Sequence, residues 1–143
     1  MSRISKIFKL SWSDRRLLAR SAFVMCAAAA AVRLLPAAYF AAALATRLPR
    51  VRNQSQTPER IGWAVSVAAR YVPGASCLAQ AVAARHLLER AGHIARINIG
   101  VAHDSVHGFQ AHAWVEAEGR ILLGGVACAA RYHTLPLHPE SAN

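Results

Sequence analysis

At Gly92 the hydrophobic period of this chain changes from about 3.6 residues to 2, and that change sets the fold class. Before it, "PGASCLAQAVAARHLLERAG" carries helix punctuation at both ends. Pro73-Gly74 stops the preceding element, Ser76 caps a new one and Gly92 suits a C′ position. Leu78, Ala81, Val82, Leu88 and Ala91 make an apolar stripe, with Arg85, Glu89 and Arg90 away from it, so the helix is predicted to be amphipathic and half-buried. After Gly92, "HIARINIGV" alternates, with Ala95, Ile97, Ile99 and Val101 on one face. "FQAHAWVEA" alternates too, with Phe109, Ala111, Ala113, Val115 and Ala117 inward and Gln110, His112, Trp114 and Glu116 outward. The polar loop "HDSVHG" joins these two strands, and the Glu118-Gly119 turn leads into a third, "RILLGG". The expected class is α+β: N-terminal helices, then a cysteine-bearing helix packed on a small antiparallel sheet.

The region before Pro73 divides unevenly by charge. The whole chain of 143 residues has a net charge of +10, yet residues 1–60 carry 11 Lys+Arg against 2 Asp+Glu. Residues 61–143 carry 6 against 5 and are close to neutral. Without an aromatic-interleaved basic stripe or a zinc-finger spacing, the basicity does not point to nucleic acid. Residues 1–52 are expected to form a helical, Ala/Leu-rich, basic region, with a bend near Pro36 dividing two helices. The apolar run at 21–32 is shorter than the roughly 20 residues that span a bilayer, and Arg33 and Pro36 interrupt its extension. Arg33 also stands where a signal peptide would need an uninterrupted apolar core. Packing on the rest of the protein is the favoured reading, followed by peripheral contact with an anionic membrane through Arg15, Arg16 and Arg20. Residues 53–60 read as a linker, and 61–143 as the functional domain. Its first helix carries Ile61, Val65, Ala68 and Val72 on one stripe.

Two residues then stand out. Cys77 lies in the first turn of its helix, where unpaired N–H groups and the helix dipole stabilise an anion and so favour a thiolate. The same N–H groups can hold the oxyanion formed when sulfur attacks a carbonyl. Cys26, within an apolar run, and Cys128, in an Ala-rich stretch, lack this setting. Three widely spaced cysteines suggest no disulfide framework and a reducing, cytoplasmic compartment. His112, 35 residues beyond Cys77, points away from the apolar strand face and can serve as the base that a thiolate needs. Gln80, one turn into the helix, is a candidate oxyanion or substrate contact, and Trp114 a candidate cleft wall. His103 and His107 flank Asp104 without a metal-ligand spacing, so no metal and no cofactor is expected. His86 and His93 read as surface residues.

The stretch "SCLAQAVAARHLLERAG…ARINIGV…GFQAHAWVEAEGRIL" resembles the leader peptidases of lasso-peptide biosynthesis, the B-protein family, over about residues 63–137. Their catalytic part is related to transglutaminases and papain-like proteases. The resemblance implies a transglutaminase-like core with Cys77 as nucleophile and His112 as base. It also implies cleavage of a leader from a ribosomally made precursor, with a separate leader-recognition protein and a lasso cyclase as partners. Family members commonly place an acid on the strand after the histidine to orient its ring. A two-residue Glu118-Gly119 turn would set His112 opposite Gly125, so Gly124-Gly125 occupy that position. A backbone carbonyl, a water or a distant acid such as Asp104 would then take the role. Glu116 shares the face of His112 but lies about 13 Å along the strand. Acyl transfer to an amine, and a non-catalytic scaffold at a membrane surface, are the alternatives.

Overall fold

The computed structural model describes residues 10–36, 56–125 and 131–135. Three helices, α1 (Trp12–Leu34), α2 (Pro58–Ala69) and α3 (Cys77–Arg90), precede four strands, β1 (Ala95–Asp104), β2 (Gly108–Ala117), β3 (Arg120–Leu123) and β4 (His133–Leu135). The strands form one antiparallel sheet in the order β3-β2-β1-β4. The fold is α+β, as the change of period at Gly92 predicted.

Each helix starts where its capping chemistry starts it. Ser11, Thr57 and Ser76 each accept a backbone N–H three residues on, and Pro58 occupies the first turn of α2, where its missing N–H costs nothing. That helix therefore begins inside the stretch read as a linker. The first helix ends at Leu34, just before Pro36, which cannot continue a helix. The second helix expected beyond Pro36 lies outside the described residues.

The middle helix of the core is α3, which packs on α1 and α2 to one side and on β1, β2 and β3 to the other. Met25, Ile61, Val65, Leu88 and Val115 are fully buried between these layers. Because α3 is enclosed from several directions, it is not the half-buried amphipathic helix that its stripe predicted. Ala79, Ala81, Ala83 and Ala84 are all buried, their small side chains letting neighbours approach closely. Arg85 and Glu89 are buried too, joined by a 2.9 Å ion pair at i,i+4. In α1, Leu17, Leu18, Ser21, Met25, Ala28 and Ala29 face this core. Among the described helices, only α1 is long and apolar enough to cross a membrane by length and composition. Its other side exposes Trp12, Arg16, Arg20, Phe23 and Leu34.

The β1–β2 hairpin pairs from Ala95↔Ala117 to Asp104↔Gly108, so β1 runs through part of the predicted loop. Its inward positions at the core end, Ala95, Ile97, Ala113, Val115 and Ala117, are buried, whereas Phe109 is 71% exposed. The helices do not reach that far along the hairpin. Glu118 and Gly119, both with positive φ, make the two-residue turn into β3.

His93 is buried rather than on the surface. Its Nδ1 lies 3.0 Å from the Glu118 carboxylate and its Nε2 lies 2.8 Å from the Gln56 carbonyl. The ring thus ties the β2–β3 turn to the lead-in of α2. His93→Ala is expected to lower stability by about 1–3 kcal/mol, because two partly buried hydrogen-bonding contacts go together, and a urea titration reads this as a lower midpoint. His86 is also half-buried. Desolvation, then the nearby Arg90 and Arg20 charges, push its pKa below the ordinary histidine value.

Candidate active site

The turn before α3 is held from both sides. Ser76 donates its N–H to the Gly74 carbonyl at 2.8 Å, and its hydroxyl accepts the Ala79 N–H at 3.2 Å. Gln80 turns its amide back, Nε2 donating to the Ala75 carbonyl at 2.9 Å. The side chain predicted to contact substrate therefore fixes the loop that presents Cys77. Cys77 is the first residue of α3, a free, half-buried thiol packed beside the core. Its own N–H and that of Leu78 have no intrahelical acceptor at a helix start, so they remain available to an oxyanion.

His112 sits on β2 opposite Gly100. Alternation places it, with Trp114, on the face away from the buried Ala113, Val115 and Ala117. On that face three groups fix the imidazole. Nε2 lies 3.2 Å from the Gly124 carbonyl oxygen. The Trp114 ring stacks at a centroid distance of 6.5 Å and 21°, and the Tyr132 ring lies at 5.5 Å and 32°. Trp114 is only 4% exposed, packed beside the histidine ring. Tyr132, just before β4, donates its hydroxyl to the Gln110 side chain at 3.3 Å.

Two glycines make this arrangement fit. A Cβ on Gly100 would stand 2.6 Å from the Tyr132 Cβ and 2.9 Å from the Trp114 ring. A Cβ on Gly124 would stand 2.6 Å from the Trp114 Cβ, and Gly124 has φ +96°. Glycine is thus required at 124 both by the conformation and by the tryptophan.

The register explains which glycine serves the histidine. From Ala117↔Arg120 and Glu116↔Ile121, pairing slips to Val115↔Leu123, a bulge that inserts one residue into β3. Counting on from the turn had set His112 opposite Gly125. The slip instead extends the register to bring Gly124 level with Trp114, and its carbonyl reaches the imidazole. Of the three orienting groups left open by the sequence, the described residues supply the backbone carbonyl. Asp104 lies four residues beyond Gly100 on β1, about 13 Å along the strand. Its side chain lies outside the described residues.

A carbonyl only accepts, so Nε2 carries the proton and the neutral ring keeps its lone pair on Nδ1. This is the tautomer in which Nδ1 can take a proton from a thiol. Cys77 and His112 lie toward the same end of the α3–β2 pair. From Gly100 back to Ala95 is about 17 Å of strand, and α3 spans about 20 Å. Among the described residues, however, no hydrogen bond joins them, and the histidine faces away from α3. No group of three His, Cys, Asp or Glu side chains among the described residues is arranged to hold a metal. Tyr132 had no signal in the sequence, because "YHTL" is too short a run to read as a strand. Beside it a shallow depression of about 350 Å³ is lined by Ala102, His103, Ser105, Gln110, Arg131 and Tyr132.

The sequence profile of the Transglutaminase-like superfamily matches residues 22–136. The chain belongs to that superfamily. The match covers the site and reaches back into α1, well before the start near residue 63 that the resemblance suggested, in accord with the packing of α1 on α2 and α3. No curated protein and no solved structure matches the chain. Membership of the transglutaminase-like superfamily fits cysteine peptidase or acyltransferase chemistry in general.

Proposed function

We propose that this transglutaminase-like protein is a cysteine endopeptidase that removes the leader from a ribosomally made lasso-peptide precursor. The observation that carries the reading is the imidazole of His112, held at Nε2 by the Gly124 carbonyl with Nδ1 left to act as base. Cys77, at a helix start, supplies the sulfur. In the proposed reaction Nδ1 takes the thiol proton and sulfur attacks the scissile carbonyl, forming a C–S bond. The helix-start N–H groups hold the oxyanion. The imidazolium then gives its proton to the leaving amine as the C–N bond breaks. Water, deprotonated by Nδ1, cleaves the thioester and leaves a carboxylate on the leader.

No hydrogen bond joins the two side chains among the described residues, so the proposed reaction needs that bond to form in the substrate complex. Catalytic hydrogen bonds that tighten in the substrate complex are common in this chemistry. A separate leader-recognition protein and a lasso cyclase are the proposed partners, and the cytoplasm the proposed location. The exposed Trp12, Phe23 and Leu34 beside Arg16 and Arg20 support peripheral contact with an anionic membrane.

Incubating the precursor with this protein and its partners, then weighing the products, tests the reading. A leader ending in a free carboxylate is expected. A leader joined to an added amine would assign acyl transfer instead, and an uncut precursor would favour a scaffold.

A further inference from the structure

Arg33, which interrupts the apolar run of α1, ends up against the turn that leads to Cys77. Its guanidinium lies over Gly74, in the place that a Cβ there would occupy. Gly74 also has φ +78°, so the turn that leads to Cys77 is shaped to receive the arginine. Around it is a cleft of about 500 Å³ lined by Val32, Arg33, Ala69, Val72, Gly74, Ala75 and Ser76. None of these lining residues is acidic, and Arg33 forms no ion pair with any described residue. Among the described residues, the cleft thus joins a cation without an ion-pair partner to an apolar wall, directly before the first residue of α3.

We propose that this cleft is a substrate subsite in which Arg33 holds a carboxylate of the peptide being cut. This deepens the peptidase reading and rests on it for the identity of the ligand as a peptide. An acidic side chain within a few residues of the scissile bond suits the cleft. The guanidinium offers a planar pair of donors to the carboxylate, and the apolar wall takes the methylenes that carry it. The rival role for Arg33 is local: it stands in the last turn of α1, where a cation complements the helix dipole. A purely local role leaves the reactivity of Cys77 indifferent to the charge of its attacker.

That difference is measurable without any peptide. Iodoacetate and iodoacetamide alkylate sulfur alike, with S–C bond formation and loss of iodide, but only the first is an anion. The ratio of their rates at Cys77, resolved from Cys26 and Cys128 by peptide mass analysis, reports cation-assisted binding near the thiol. Arg33→Gln is expected to lower that ratio roughly three- to tenfold, and Arg33→Lys to restore most of it. The ratio at Cys26, exposed two turns back on α1, serves as the reference. An unchanged ratio at Cys77 in Arg33→Gln overturns the proposal. Peptides paired as Glu and Gln near the cleavage point then test the ligand. A preference for Glu that disappears in Arg33→Gln supports the subsite, and equal cleavage of both overturns it. If no peptide is cut, the peptidase reading falls while the alkylation ratio still decides whether the cleft attracts anions.

Discussion

Cys77→Ala is expected to reduce leader cleavage by about 10⁴-fold or more, to the uncatalysed background. Removing the sulfur removes the covalent step itself, and the neighbouring Ser76 hydroxyl is held as the N-cap of α3 and is a far weaker nucleophile than a thiolate. Alanine is the best helix former and Cys77 is only half-buried, so the fold should survive the change. His112→Gln is expected to cost about 10²- to 10⁴-fold, because the amide keeps a donor near the Gly124 carbonyl but cannot move a proton. Cys26→Ser should leave cleavage unchanged, since that thiol lies on the exposed side of α1. Time courses of precursor mass for the three variants check this. Sustained cleavage by Cys77→Ala would overturn the cysteine mechanism.

Gly124→Ala carries the second large effect, on stability and on rate together. A methyl at φ +96° costs about 1–2 kcal/mol. Its overlap with the buried Trp114 adds about 1–3 kcal/mol. Gly125 offers the control, because it too has positive φ, +76°, but a Cβ there meets nothing within 4 Å. The stability difference between Gly124→Ala and Gly125→Ala therefore isolates the tryptophan contact. The Gly124 variant should also lose kcat with little change in KM, as its carbonyl moves away from the imidazole. Equal unfolding midpoints and equal rates for the two variants would show that neither the contact nor the carbonyl matters. Gly124→Asp meets the same overlap, so it should not create an acidic partner for His112.

The sequence made the helix–sheet order legible because local signals there are strong. Ser76 and Gly92 bracket α3, and alternation marks β1 and β2 without help from the rest of the chain. Cys77 at a helix start and His112 outside the core face follow from the same periodicities. What escaped was decided by packing between distant segments. Arg85 and Glu89 look exposed on a helical wheel, but α3 is enclosed and the pair neutralises itself. His93 looks like a surface residue until Gln56 and Glu118 close on it. One inserted residue in β3 shifts the register so that Gly124, not Leu123, comes level with Trp114, and nothing in "RILLGG" announces a bulge. Tyr132 arrives just before a strand of three residues, too short for any period to show.

A peptide group at Gly124 differs from an aspartate in what it does not bring. It does not titrate, so it directs the imidazole equally well in acid and in neutral solution. It also adds no formal negative charge beside the scissile bond. For the proposed Arg33 subsite, the group that orients the imidazole thus brings no charge to oppose an acidic peptide.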